Sequence, residues 1–150
     1  MTENSTIHAS AVLIGPKAAL IRGPAGSGKS QLVWQLLQSA AQGALPFARL
    51  VADDRAYVAA CAGRLLVRPA KALAGILEIR GLGIRRLPYE PVAVVALVVD
   101  LAATDAARYP GPETAKTSID GAFLPRLAVA PDQQALAMVL AYLATSPTVN

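Results

Sequence analysis

The eight residues Gly23-Pro24-Ala25-Gly26-Ser27-Gly28-Lys29-Ser30 match the pattern G-x-x-x-x-G-K-[ST] in full, and few short stretches restrict a fold so strongly. Such a loop works only between a strand and the first turn of a helix, where successive backbone N–H groups converge on phosphate oxygens. Its neighbours meet that requirement. The apolar run Ala18–Ile21 precedes the loop, and Leu32, Val33, Leu36, Leu37 and Ala40 follow at helical spacing from Lys29 to about Gln42, with Gly43 as the stop. The chemistry follows from the residue types. Glycines let the backbone approach the anion, and the helix start turns its positive dipole end toward it. Lys29, expected to stand exposed at the loop–helix junction, reaches the β/γ-phosphates, and the Ser30 hydroxyl is placed to ligate Mg²⁺. The stretch Gly23–Ser30 therefore predicts binding of a purine nucleoside triphosphate.

The remaining periodicities predict an α/β fold with a mixed sheet, richer in hairpins than a doubly wound one. Ile7–Ile14 and Ala18–Ile21 flank the turn Gly15-Pro16-Lys17 and read as a hairpin. Arg49–Ala52 reads as a short buried strand, and Tyr57–Cys61 with Leu65–Val67 as a second hairpin about Ala62-Gly63-Arg64. Lys71–Gly75 suits a helical turn, Ile76–Ile79 a strand, and Arg80-Gly81-Leu82-Gly83 a flexible glycine loop. Val92–Asp100 is apolar almost throughout, as a strand covered on both faces must be. Ala102–Lys116, with Pro110, Gly111 and Pro112, reads as a loop, and Pro131-Asp132 as the start of a helix carrying Leu136, Val139, Leu140 and Leu143 on one stripe.

Composition narrows the function classes. At 150 residues the chain is expected to form one domain, 1–150, with its core between about 7 and 145. Hydrophobic residues make up 54 % and charged residues 16 %, which argues against disorder. No apolar run is long enough for a membrane span and no signal-peptide pattern opens the chain, so a cytoplasmic protein is the default expectation. Cys61 is the only cysteine, which excludes an internal disulfide and a multi-thiolate metal site. The net charge of +4 suits a phosphorylated ligand. The arginines are scattered and few aromatics accompany them, so nucleic acid is not expected as a partner.

Asp53-Asp54 closes the strand Arg49–Ala52. In extended backbone neighbouring side chains diverge, leaving one carboxylate for metal and the other for an acceptor, though the pair alone reads equally well as a turn. Further on, Leu77-Glu78-Ile79-Arg80-Gly81-Leu82-Gly83-Ile84 resembles the signature of HPr kinase/phosphorylases. Gly23–Ser30 and Leu50–Asp54 precede it in that family's order and at comparable spacing, and His8 falls where the family has a histidine before its P-loop hairpin. The resemblance runs from Ile7 to about Leu143, as in short members that lack the N-terminal domain of the long ones.

The resemblance implies a protein-serine kinase that uses ATP and Mg²⁺ to phosphorylate the phosphocarrier protein HPr of the phosphotransferase system. It also implies possible reversal by phosphorolysis and a hexameric family habit. Residue by residue it implies Asp53 as the acid/base, with His8 as its positively charged neighbour. Ser30, Asp54 and Glu78 would form the metal neighbourhood, and Arg80 would hold phosphate or acceptor. The family's later lysine- and arginine-containing loop is matched only loosely, by Lys116 and Leu124-Pro125-Arg126, which puts Arg126 in the site. Two other readings fit the P-loop alone: a kinase of a small metabolite, and a nucleotide-dependent sensor without catalysis.

Overall fold

Apolar runs on either side of Gly15-Pro16 pair in register, and this hairpin is the frame for everything else. The computed structural model describes residues 6–148. After the short β1 (Thr6–Ile7), β2 (Ala9–Ile14) and β3 (Lys17–Arg22) pair antiparallel from Ala9↔Arg22 to Ile14↔Lys17. The glycine loop then leads into α1 (Lys29–Ala41), and β4 (Ala48–Ala52) returns antiparallel on the outer side of β2. β5 (Ala56–Cys61) and β6 (Arg64–Pro69) form a second hairpin. A single 3₁₀ turn, Lys71–Leu73, leads to β7 (Ile76–Ile79) and β8 (Gly83–Arg86), a separate two-stranded ribbon. β9 (Ala93–Asp100) is the spine of the molecule. The chain ends with β10 (Lys116–Ile119), β11 (Ala122–Ala128) and α2 (Ala135–Ala144).

β9 has β3 along one edge, parallel. Its other edge is shared: β6 pairs antiparallel with its start at Val94 and Ala93, and β11 pairs parallel with its end from Val98 to Asp100. The main sheet therefore runs β1-β5-β6-β9-β3-β2-β4, with β11 and β10 continuing from the far end of β9. Alternation along the strands separates two cores. Leu20 and Val98 face a core closed by β5, β6 and the β10–β11 hairpin, with Leu65, Val67 and Leu124 in it. Ile21 and Val99 face the other, where α1 contributes Leu32, Val33 and Leu36 and α2 contributes Val139. Full burial of each of these side chains is worth about 1.5–3 kcal/mol. Val12, Leu20, Ile21, Val98 and Val99 are all fully buried, so the apolar character of β2, β3 and β9 is used on both faces.

The mixed, hairpin-rich sheet agrees with the sequence expectation. Three elements differ. The segment Gly81–Gly83 is a tight hairpin turn, with Leu82 N–H donating to Ile79 O, and β8 follows it rather than open loop. The β10–β11 hairpin turns at Asp120-Gly121, both left-handed at φ 51° and 80°, as a two-residue hairpin needs. α2 begins at Ala135 and not at Pro131, because Gln133 folds back on Ala130: its N–H donates to Ala130 O and its Oε1 accepts from Ala130 N–H.

Candidate active site

The loop between β3 and α1 is held by close backbone approach. A Cβ on Gly23 would lie 2.5 Å from Ser27 Oγ and 3.1 Å from Leu101 Cβ, so the position admits nothing larger than glycine. Gly28, at φ 101°, is the residue before α1 and offers no side chain to cap it. The first-turn N–H groups of α1 thus have no side-chain cap, and helix starts of that kind attract anions. Lys29 is 8 % exposed, against the expectation of an exposed lysine. Its Nζ lies back over the loop and donates to Gly23 O at 2.7 Å and Pro24 O at 3.2 Å. No carboxylate pairs with it among the described residues, so the ammonium remains an uncompensated cation beside the N–H groups. Ser27 Oγ is buried with no hydrogen-bond partner among the described residues.

The end of β4 carries the acidic pair, and the backbone separates the two side chains. Asp54 is left-handed, at φ 70°, which turns the chain sharply after Asp53. Asp53 is 7 % exposed. Its Oδ1 accepts the Ser30 hydroxyl at 2.7 Å and the Ser10 hydroxyl at 2.7 Å, and its Oδ2 accepts Glu78 N–H at 3.3 Å. Ser10 Oγ in turn accepts Asp54 N–H at 3.1 Å. One carboxylate thus joins β2, the start of α1 and the β7–β8 ribbon. Asp54 is instead exposed and lines a cleft of about 600 Å³. Ser27, Lys29, Ser30, Glu78 and Arg80 line the same cleft.

Lys29, Ser30, Asp54, Glu78 and Arg80 are therefore brought together, with Asp53 directly beneath them. Two expected residues are not. His8 is exposed in the bend between β1 and β2 and does not line the cleft. Arg126 belongs to a different construction, because its side chain is consumed in ion pairs. Its Nε donates to Asp100 Oδ2 at 2.5 Å, and its terminal nitrogens donate to both oxygens of Asp105 at 2.8 and 3.0 Å. Arg22 binds Asp100 from the other side, at 2.7 and 2.8 Å. Burial alone would raise the Asp100 carboxyl, but the hydrogen bonds from Arg22 and Arg126 outweigh it and hold the group below 3.8. The Arg126 hydrogen bond lowers Asp105 as well, and Arg126 itself is raised, chiefly by Asp105.

The sequence reading missed Ser10, Arg22 and Asp100. The only signal for Ser10 is a hydroxyl in the otherwise apolar run Ala9–Ile14. Asp100 and Arg22 carried a clearer one: each is the charged residue that ends a buried strand.

No protein-family model matches the chain. HPr kinase/phosphorylases from three strains of Streptococcus thermophilus are 39 % identical to it over 85 residues, 56 % of this chain. The solved structure of an HPr(Ser) kinase/phosphatase from Coxiella burnetii has the same fold, with a TM-score of 0.74 over 94 % of this chain and 89 % of that one, at 21 % identity. The chain is thus similar in sequence to HPr kinase/phosphorylases over that stretch, and shares its fold with one of them. The shared stretch spans 25 % of the length of the streptococcal relatives. The HPr kinase fold accounts for the hairpins that set this sheet apart from a doubly wound one.

Proposed function

We propose that the chain transfers the γ-phosphoryl group of ATP to a serine hydroxyl of HPr, with Mg²⁺. The observation that carries the reading is the 2.7 Å hydrogen bond from the P-loop hydroxyl of Ser30 to Asp53, at the floor of a cleft that also holds Lys29, Asp54, Glu78 and Arg80. The donor set suits the ion. Among the described residues no group of three or more His, Cys, Asp and Glu could hold a metal. A magnesium ion here would take its remaining ligands from phosphates and water, as it commonly does. Ser30 and Asp53 would hold it, with Glu78 at the rim of the cleft. Bound there, the ion would neutralise charge developing on the phosphoryl oxygens.

The chain's own groups supply the rest. Uncapped N–H groups of α1 and the loop, with Lys29, bind and orient the phosphates. Arg80, which lines the same cleft, adds a second cation. Asp54 faces the cleft, and so is the carboxylate positioned to accept the serine proton as that oxygen attacks. The sequence reading gave this task to Asp53. Burial of Asp53, and its three accepted hydrogen bonds, favour the exchange of roles. In reverse, an oxygen of inorganic phosphate attacks the phosphoserine, the P–O bond to serine breaks, pyrophosphate forms and Asp54 returns the proton. The test is incubation with purified HPr, ATP and Mg²⁺, read by intact mass. A gain of one phosphoryl group on a serine is expected. ATP binding without any such gain would sink the reading.

A further inference from the structure

Arg22 and Asp100 are the charged residues that end two buried, parallel strands, and the register of β3 against β9 sets them opposite each other. The guanidinium fork of Arg22 grips both carboxylate oxygens: Nε donates to Oδ1 at 2.7 Å and a terminal nitrogen to Oδ2 at 2.8 Å. A second tie runs through the main chain, where Leu101 N–H donates to Arg22 O at 2.8 Å. Asp100 is held from the other side by Nε of Arg126, on β11. Arg126 is itself fastened to Asp105 and to Thr114 O, across the loop that follows β9. β3 and β9 already pair along their length from Ala18 to Arg22, so the ion pairs are not needed to join the strands. What they add is a fixed direction, which a bidentate arginine gives and a lysine does not. Two cations and two anions also cancel, so the four groups lend geometry rather than field.

The residues after Arg22 make that direction matter. Gly23, Pro24, Ala25 and Gly26 carry no side-chain hydrogen-bonding group, so the first half of the glycine loop has no anchor of its own. Gly23 rests against the residue after Asp100: a Cβ there would lie 3.1 Å from Leu101 Cβ and 3.2 Å from Leu101 O. The Gly23 carbonyl in turn accepts Lys29 Nζ at 2.7 Å. We propose that Arg22, gripped by Asp100, is a positioning residue for the phosphates: it fixes Gly23 and, through the Gly23 carbonyl, the place of the Lys29 ammonium. Asp100 and Arg126 support it from behind. This role rests on the phosphate binding proposed for the loop above, and extends it to side chains that do not line the cleft. A loop already held in place need not be ordered when the ligand binds, so loosening Arg22 weakens binding without removing a group that meets the phosphates.

Calorimetry with MgATP tests this role, alongside melting of each protein without ligand. Arg22→Lys keeps the charge and loses the fork; it should bind MgATP about tenfold more weakly, roughly the worth of one hydrogen bond. Asp100→Asn removes the carboxylate that Arg22 grips, should lose a similar factor, and decides where the lysine variant does not fold. The double variant should lose no more than the weaker-binding single one, because both break the same bond. Val67→Ala is the control, since it trims the core on the other face of the sheet from α1. It should melt below the parent yet bind MgATP as the parent does. Unchanged affinity in the single variants, a loss no greater than that of Val67→Ala, or losses that add in the double variant would each overturn the role of Arg22. A parent that does not bind MgATP overturns instead the reading of the loop as a phosphate site.

Discussion

Asp53 and Asp54 differ by one position in sequence and by nearly everything in surroundings, and the difference is testable. Asp53→Asn leaves an acceptor for the serine hydroxyls but sets an amide against Glu78 N–H and removes the charge beside Ser30. Transfer should fall and recover in part across a magnesium series, because the fault lies in holding the ion. Asp54→Asn should bind ATP and Mg²⁺ normally, yet lose about 10²–10⁴-fold in transfer, the usual worth of a positioned base, with no recovery. The opposite pattern would return the acid/base role to Asp53. Ser10 gives a second prediction. Its hydroxyl is fully buried and serves both aspartates, donating to Asp53 and accepting from Asp54 N–H. Ser10→Ala leaves that N–H unpaired, at a cost of about 1–3 kcal/mol. Thermal melts should show the loss, transfer should fall with it, and Ser10→Thr should restore part of both; a variant as stable and active as the parent would make Ser10 mere filling. Lys29 and Ser30 were legible because a motif fixes their spacing to the glycines. Ser10 was not, since a serine in an apolar strand carries no mark of the carboxylate it will meet.

Among the elements, β3, the loop and α1 could be read together, because strand, glycines and helical periodicity point to one arrangement. β9 could be read from its unbroken apolar run. β8 could not: Gly83–Arg86 are all exposed and join β7 by backbone pairing alone, which leaves no burial pattern. Strand order was equally hidden, because β9 meets three neighbours and its sequence says only that both faces are covered. The ion pairs at the end of β9 illustrate what register adds to sequence. Asp100 titrates below its ordinary value in the folded chain. A carboxyl of this kind adds stability that is complete above its unfolded value, about pH 4, and is lost as the pH falls through the lower folded value. Asp100→Asn should therefore be less stable at pH 7, by about 2–3 kcal/mol for hydrogen bonds to a charged group. Its melting temperature should also decline less steeply than the parent's below pH 4. The slope should not vanish, because Asp105 is shifted in the same direction. A variant with an unchanged acid slope would show that the Arg22 and Arg126 pairs do not stabilise the strand end.

At the scale of the molecule, the two cores share β2, β3 and β9, so neither can be lost while the other stays intact. One cooperative unfolding transition is expected for the two cores together. The cleft opens on the glycine loop that joins β3 to α1, and the acidic pair closes the strand beside β2. A ligand seated on the loop is thereby coupled to both cores and should raise the stability of the whole chain. The magnitude follows from linkage: MgATP at one hundred times its dissociation constant adds about 2.7 kcal/mol. For a chain of this size that corresponds to a rise of about 5–10 °C in the melting temperature. Lys29→Ala separates binding from folding. Among the described residues the lysine makes no ion pair and its hydrogen bonds go only to Gly23 O and Pro24 O, so the variant should melt close to the parent without ligand. With MgATP its shift should disappear, because the cation proposed to meet the phosphates is gone. Differential scanning calorimetry of both proteins with and without MgATP makes the comparison. A full shift in Lys29→Ala would mean that ATP stabilises the chain from somewhere other than the glycine loop, and two separate transitions in the parent would mean that β2, β3 and β9 do not bind the two cores into one unit.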